Sequence, residues 1–229
     1  MLIGGQAVNY WAETYLSQEP ALAAWLPFTS KDIDFQGGRD DVLKLARALG
    51  VRAQLPHRKE MTAFAGGVPF HVGDLATKIE FVRHLPGVEN AKIEARAMTA
   101  QRDGKELRVL DPISLLSCKL YLALRVDQSN RRDADHARIM IICVRAFLRE
   151  TLRGVESGEL SARGWLAAVE RVLKLAESNI GRKTTRELGV DWSQALPLDE
   201  IATSSHRAAI QLREKRLPRW KNYGNNTTR

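Results

Sequence analysis

The sequence predicts a mixed α/β half followed by a helical half, and two observations support this division. Residues 1–110 hold most of the glycines and the short apolar runs typical of strands, whereas residues 111–229 carry longer apolar patterns with helical spacing. In addition, the dipeptide Asp103-Gly104, which is typical of a tight hairpin turn, lies between two alternating segments. We therefore expect an α/β domain over residues 1–110 and a helical domain with a basic tail over residues 111–229.

The α/β half is predicted from short local patterns. Two apolar residues lead into Gly4-Gly5, and a helical apolar pattern follows the glycines. Residues 31–35 alternate between polar and apolar, which is typical of a strand. Further strands are predicted at residues 61–65, 77–82 and 92–99. The sequence also predicts a hairpin that pairs 93–100 with 105–110, and a helix at 41–49 that ends at Gly50.

In the helical half, Asp111-Pro112 is a strong start signal. Aspartate can accept hydrogen bonds from the free amides of a first helical turn, and proline suits the first helical position. An apolar stripe follows this dipeptide. Three more helices are predicted at residues 134–150, 161–178 and 198–215.

Composition narrows the class of protein. The chain has 229 residues, is 44% hydrophobic and 27% charged, and carries a net charge of +8. These values exclude a disordered tail or a coiled-coil rod, and the positive excess favours polyanionic partners. No apolar run approaches the ~20 residues of a membrane span, and the first residues do not resemble a signal peptide. Cys118 and Cys143 lie in apolar helical patterns, so we expect a reduced, cytoplasmic protein without a disulfide framework.

An acidic pair and a glycine pair are the first candidate functional residues. Asp32 and Asp34 lie two apart on a predicted strand, so both carboxylates point to one face. A divalent cation such as Mg²⁺ would neutralise them; the alternative is a solvated acidic pair at a strand end. Gly4 and Gly5, between a strand and a helix, would let the backbone approach a phosphate, although an ordinary tight turn is the alternative.

This combination resembles the nucleotidyltransferases of the DNA polymerase β superfamily, whose signature is a strand ending in a glycine pair followed by a strand with an acidic pair. Ile3-Gly4-Gly5-Gln6-Ala7 together with Thr29-Ser30-Lys31-Asp32-Ile33-Asp34-Phe35 looks most like the AbiEii-type group. That group includes toxins of abortive-infection and toxin–antitoxin systems. The resemblance implies a polymerase-β-like mixed sheet with flanking helices.

The family pattern also implies a third carboxylate on a later strand. Glu80, between apolar neighbours, is the best match, and Asp74 and Glu94 are weaker candidates. Family members more often carry Asp there. A lysine begins this motif in the family, which maps onto Lys78; the alternative is a solvated lysine beside an acid.

The remaining family elements map onto the first helices after the sheet. Lys119 lies on an otherwise apolar helix and would reach triphosphate oxygens, with Arg125 six residues later. The alternative is that its stem lies along the edge of the core. The final D-x-x-D element maps onto Asp133 and His136, with Asp135 as a displaced second acid. Asp133 is alternatively a helix N-cap, and a surface position is the default for His136.

The resemblance implies a reaction and its partners. Asp32, Asp34 and Glu80 would be catalytic and would hold Mg²⁺ or Mn²⁺. The nucleotide, an NTP such as ATP, would be bound by Gly4, Gly5, Lys78, Lys119 and Asp133. NMP would pass to an acceptor hydroxyl, with RNA or a tRNA end, a protein or a small antibiotic as acceptor, and an antitoxin is a further possible partner. The alternatives are a catalytically degenerate protein that binds nucleotide or a partner, and an RNA-binding module.

Overall fold

The computed structural model of the protein describes residues 1–57, 59–73, 75–102 and 104–220. The chain divides into two compact units, one over Met1–Met140 and the other from Ile141 onward. The boundary between the units lies after residue 110, where the sequence pattern changes from strands to helices. The reason is that helix α3 (Pro112–Arg125) packs against helix α1 (Gly4–Tyr15) and so belongs to the first unit. The first unit is α/β and the second is helical.

A mixed sheet of six strands organises the first unit, as the sequence predicts in class. Its spatial order is β3-β4-β2-β1-β6-β5. The central strand β2 runs antiparallel to β1 and parallel to β4, while β6 runs parallel to β1. The outer strands β3 and β5 are antiparallel to β4 and β6. The strands are β1 (Leu2–Ile3), β2 (Ile33–Gln36), β3 (Phe64–Val72), β4 (Leu75–Val82), β5 (Ala97–Arg102) and β6 (Lys105–Leu110).

Helix α2 (Arg39–Leu49) covers one face of the sheet. Its Val42 and Ala46 form a buried apolar cluster with Ile79 and Phe81 of β4, and Phe35 of β2 packs at the margin. Because side chains alternate along a strand, the residues between these apolar positions point to the opposite face. Asp34 and Glu80 are such residues, so the alternation places both carboxylates away from the α2 cluster.

Local signals account for the ends of the helices. Gly50 ends α2 in the left-handed region at φ 66°, which glycine adopts without strain. Oδ1 of Asp111 accepts hydrogen bonds from the amides of Ile113 and Ser114, both at 3.1 Å, at the start of α3. Both predicted helix boundaries are confirmed. A 3-10 helix (Pro20–Trp25) follows α1 and was not predicted.

The predicted hairpin is confirmed, but one strand is shorter than expected. Arg102 of β5 pairs with Lys105 of β6, while Asp103 lies outside the described residues. The strand predicted over 92–99 begins only at Ala97, because short 3-10 turns, Asn90–Lys92 and Glu94–Arg96, occupy the segment before it.

In the second unit, the predicted single helix over 198–215 is wrong. The segment contains α7 (Leu198–Thr203), α8 (Arg207–Gln211) and a π-helical turn (Leu212–Arg216). The break falls at Ser204, which is extended and whose hydroxyl donates a hydrogen bond to Glu156 and accepts one from the His206 amide. Serine competes with helical backbone bonds in this way, which explains the interruption.

The other helices of the chain are α4 (Asp133–Glu156), α5 (Ala162–Glu177) and α6 (Asn179–Leu188). Helix α6 was not predicted; Ser178 caps its start, with Oγ accepting from the Gly181 amide at 3.0 Å. In the described part of the chain, no helix combines the length and apolar character needed to cross a membrane. The basic tail from residue 221 lies outside the described residues.

Candidate functional site

Two carboxylates meet on neighbouring strands of the first unit. In the parallel pair of β2 and β4, Asp34 stands directly opposite Glu80. Both residues are half-buried. Partners in adjacent strands lie about 5 Å apart, so two like charges face each other on the sheet face opposite α2. This register brings together two of the three predicted catalytic carboxylates.

The start of α1 is closely fitted around Asp34. Gly4 has φ 66°, and a Cβ at this position would lie 1.9 Å from Oδ2 of Asp34. A Cβ on Gly5 would lie 2.3 Å from Oγ of Ser30. A side chain at Gly4 is excluded both by the positive φ and by Asp34, and a side chain at Gly5 is excluded by Ser30, so both glycines are needed for this geometry. The strand β1 ends after Ile3, which pairs with Asp34, and the helix starts at once.

The electrostatics of Asp34 reflect this setting. Burial, with smaller contributions from the negative charges of Glu80 and Asp32, raises the pKa of Asp34 from 3.8 to about 6. The charge of Lys119 and a hydrogen bond from the Gly5 amide act in the opposite direction. Since the Gly5 amide contacts this carboxylate, the helix start that was predicted to bind phosphate already faces an acid of the protein.

Asp32 directly precedes β2 and so lies just outside the strand that was predicted to carry it, whereas Lys78 lies within β4. Asp32 is half-buried, and its backbone carbonyl accepts a hydrogen bond from Oγ of Ser30 at 3.1 Å. Lys78 lies two residues before Glu80 on β4, on the same strand face, and is exposed. Its exposure is compatible with both the nucleotide role and the solvated role considered for it.

Lys119 and Asp133, the other two candidates for nucleotide binding, pair with each other. Nζ of Lys119 lies 2.8 Å from Oδ1 of Asp133, and both side chains are almost fully buried. Oδ2 of Asp133 also accepts from Nε of Arg131 at 2.6 Å. Burial alone would raise the pKa of Asp133, but the positive charges of Lys119 and Arg131 outweigh burial and leave it lowered. Asp133 is therefore an ion-pair partner at the start of α4.

His136 is buried, so the surface position expected for it is wrong. It is 8% exposed, and its Nδ1 is buried without a hydrogen-bond partner among the described residues. Its Cε1 lies 3.2 Å from the position of a Cβ on Gly5, which places the imidazole beside the start of α1. Burial and the nearby charge of Lys119 lower the pKa of His136 from 6.5 to about 4, so the ring is neutral at pH 7.

The weaker candidates lie elsewhere or have other partners. Glu94 lies on a 3-10 turn, where its carboxylate pairs with Arg108 at 2.6 Å. Asp74 lies outside the described residues. Asp135 pairs with exposed arginines of its own helix start, and Arg125 lies over the ring of Tyr121 at 5.9 Å from its centroid.

The described residues of this region supply only a partial set of metal ligands. Within the described ranges, no group of three or more His, Cys, Asp or Glu side chains is placed to hold one. Asp34 and Glu80 supply hard oxygen donors, and their mutual repulsion is the kind that a divalent cation relieves. Mg²⁺ is commonly held by only one or two carboxylates together with substrate phosphates. The pair therefore fits a cation that arrives with a phosphate-bearing substrate.

Sequence reasoning missed two contributors to this region. Ser30 supports the Asp32 backbone and limits the space at Gly5. Arg132 donates from Nη1 to Oγ1 of Thr29 at 3.0 Å and so ties the start of α4 to the segment before β2. Thr29 and Ser30 directly precede the acidic strand in the sequence. Their contacts with Arg132 and Gly5 join residues far apart in the chain and therefore leave no local pattern.

Searches with the chain against protein-family models and against curated proteins find no match.

Proposed function

We propose that the protein is a metal-dependent nucleotidyltransferase with a polymerase-β-like first unit, which transfers NMP from an NTP to an acceptor hydroxyl. The observation that carries this proposal is the register of Asp34 against Glu80 beside the glycine start of α1. Two acids that repel each other are suited to hold a divalent cation for phosphoryl chemistry, in which charge neutralisation and positioning dominate. The resemblance to the AbiEii-type group supports the same assignment.

Asp34 and Glu80 would hold Mg²⁺ or Mn²⁺, with Asp32 adding negative charge nearby. When bound, such an ion neutralises phosphate charge and stabilises the attacking and leaving oxygens of the displacement. The ionised form of Asp34 is the one that binds a cation. Its raised pKa of about 6 leaves this form predominant at neutral pH.

In the proposed reaction, the acceptor oxygen forms a bond to the α-phosphorus, and the bond to the bridging oxygen of pyrophosphate breaks. The acceptor proton passes to a carboxylate, a role that we assign to Glu80, which lies opposite Asp34 on β4. Pyrophosphate leaves with the electron pair of the broken bond. Gly4 and Gly5 leave room for the side chains of Asp34 and Ser30 and so hold Asp34 against the start of α1.

Lys119 takes a revised role in this proposal. Its ammonium has three donors, and one of them binds Asp133. The buried pair fixes the ammonium near Asp34, whose pKa it lowers. Lys119 would therefore contribute positive charge to the phosphates from a fixed position, and Asp133 would act on the nucleotide through Lys119. Exposed Lys78 would contact the nucleotide from the strand side.

RNA, including a tRNA end, is the acceptor that the resemblance favours, with a protein hydroxyl as the next candidate. A toxin–antitoxin setting with an antitoxin partner is part of the same proposal. The exposed arginines 125, 131, 132 and 138 in the first unit are compatible with an RNA acceptor.

The test is incubation with each labelled NTP and Mg²⁺, in the presence of total RNA or total protein. Wild type is compared with Asp34→Asn and with Glu106→Gln, an exposed carboxylate of β6 that serves as the control. We expect label on one class of macromolecule with wild type and Glu106→Gln, and at least a ~100-fold loss with Asp34→Asn. Absence of label with every NTP and acceptor, or undiminished labelling by Asp34→Asn, contradicts the proposal.

The second candidate is a catalytically degenerate protein that binds nucleotide. Two observations favour it: no three-ligand metal group occurs among the described residues, and Lys119 is already paired with Asp133. Calorimetric titration with NTP, with and without Mg²⁺, separates the two functions. Metal-independent binding that persists in Asp34→Asn, without any labelled product, supports the degenerate protein.

A further inference from the structure

A polar cavity in the second unit has no role in the proposed reaction. It lies between α4 and the segment that runs from α7 to the start of α8, and its volume is about 740 Å³. Ligand sites commonly measure about 300–1,000 Å³, so this cavity can hold a molecule the size of a sugar phosphate. We refer to it below as the arginine cavity, after Arg149, Arg153 and Arg207 in its lining.

The charges of the arginine cavity are unbalanced. Its two acids, Glu156 and Glu200, already have partners: Glu200 accepts from Nε of Arg149, and Glu156 accepts from the Ser204 hydroxyl. In contrast, neither Arg153 nor Arg207 has a carboxylate partner among the residues that the structure describes, and both are exposed. Three arginines thus outnumber two acids on this concave surface, and two of the guanidinium groups have no acid partner among the described residues.

The positions of the arginines add a second argument. Arg149 and Arg153 lie four residues apart on α4 and are neighbours on one helix face, where Glu200 balances the charge of Arg149 and Arg153 has no acid paired with it among the described residues. Arg207 brings a third guanidinium to the same cavity from the start of α8. An anion bound in the cavity would be attracted by the charges of both Arg153 and Arg207 and would balance them.

The rest of the lining limits the chemistry of the ligand. Leu152 is the one apolar residue among the described residues of the lining, and the exposed Ser205 adds a hydroxyl. An apolar or aromatic ligand would gain little burial here. Guanidinium groups bind phosphate oxygens through paired N–H donors, and hydroxyls suit the polar groups of a sugar.

We propose that the arginine cavity binds the phosphate group of a small phosphorylated molecule, with Arg153 and Arg207 as the anion ligands. Inorganic phosphate and a sugar phosphate share this chemistry. The site belongs to the second unit and does not use Asp34 or Glu80. The proposal for the arginine cavity is therefore independent of the proposed nucleotidyl transfer.

The experiment is calorimetric titration of the full chain with inorganic phosphate, ribose 5-phosphate, ribose, citrate and a short RNA without terminal phosphates. The variants are the double substitution Arg153→Gln/Arg207→Gln and the control Arg163→Gln, an exposed arginine of α5 outside the cavity. Both mutated cavity arginines are exposed, so we expect native circular dichroism and an unchanged unfolding midpoint. Arg149 is left in place because it pairs with Glu200.

We expect wild type and Arg163→Gln to bind ribose 5-phosphate, and the double variant to lose at least about ten-fold in affinity. Ribose should not bind. Tighter binding of ribose 5-phosphate than of inorganic phosphate identifies a phosphate ester as the ligand, and equal binding identifies the phosphate group alone.

Four results overturn the proposal. The first is no binding of either phosphate compound at millimolar concentration, and the second is equal affinity in wild type and the double variant. The third is tighter binding of citrate or of the RNA than of both phosphate compounds. A loss of phosphate binding in Asp34→Asn but not in the double variant would place the phosphate in the first unit and would also overturn it.

Discussion

Replacing Asp34 by asparagine should make the metal-free protein more stable while it abolishes the proposed activity. The native pKa of this carboxyl, about 6, lies above its ordinary value of 3.8 because burial and the neighbouring acids disfavour the charge. Each unit of pKa difference corresponds to about 1.4 kcal/mol, so the ionised carboxylate lowers the stability of the native state by up to about 3 kcal/mol. The partial exposure of the residue reduces this figure.

The dependence on pH follows from the sign of the shift. Between pH 4 and 6 the native state binds more protons than the unfolded chain, so the destabilisation grows across this range and is complete above about pH 6. Asparagine keeps the size of the side chain and can still accept from the Gly5 amide. The gain in stability should therefore be near zero at pH 4 and about 2–3 kcal/mol at pH 7.5.

The assay is urea-induced unfolding in EDTA at pH 4.0 and pH 7.5, with Glu106→Gln as the control for an exposed acid. The free energy of unfolding should rise for Asp34→Asn at pH 7.5 only, and Glu106→Gln should stay within about 0.5 kcal/mol of wild type at both pH values. An unchanged or lower stability of Asp34→Asn at pH 7.5, or an equal gain at both pH values, would refute the electrostatic account of this site.

Three further predictions concern the surroundings of Asp34. Gly4→Ala should lower the free energy of unfolding by more than about 3 kcal/mol, because its Cβ would overlap the Asp34 side chain. Gly50→Ala, at the same φ of 66° but with open space around it, should lower this free energy by only about 1 kcal/mol. Thermal unfolding compares the two variants, and equal losses of stability would contradict the steric argument. Lys119→Met should lower the free energy of unfolding in urea by about 3–5 kcal/mol, because it leaves Asp133 buried without its lysine. The double variant Lys119→Met/Asp133→Leu should recover most of this stability, and a double variant no more stable than Lys119→Met would contradict the prediction. Finally, the unfolded chain takes up a proton at His136 that the native ring accepts only near pH 4, so the contribution of His136 to stability should fall by up to about 3 kcal/mol between pH 6.5 and 4, opposite in sign to the contribution of Asp34 over this range. His136→Gln should therefore make the protein more stable relative to wild type as the pH falls from 6.5 to 4, and a difference between the two proteins that does not change with pH would contradict this.

The features that sequence reasoning predicted correctly are those with local causes. Asp111-Pro112 starts a helix because an aspartate side chain reaches the amides two and three residues later. Gly50 ends a helix because its backbone conformation favours glycine. The pairing of β5 with β6 likewise agrees with a turn signal formed by two adjacent residues of the sequence.

The features that it missed depend on partners distant in sequence. The break at Ser204 depends on hydrogen bonding to Glu156, far away along the chain. The burial of His136 depends on the packing of α4 beside Gly5, and the order of the strands has no local signature. The opposition of Asp34 and Glu80 belongs to the same class, because the alternating pattern gives the face of each residue but not the register between strands.

The buried pair of Lys119 and Asp133 explains how this region combines stability with unfavourable charge at Asp34. A buried ammonium is costly unless an acid accompanies it, and Asp133 supplies that acid at 2.8 Å. Because Asp133 is also bound by Arg131, its charge is shared between two cations, and Lys119 still exerts a positive field on Asp34. The positive charge of Lys119 offsets only part of the free-energy cost of ionising Asp34, since the pKa of Asp34 stays raised at about 6. The Asp34 carboxylate also accepts a hydrogen bond from the Gly5 amide at the start of α1, and a bound cation, as proposed, would offset the free-energy cost that this bond and Lys119 leave uncompensated.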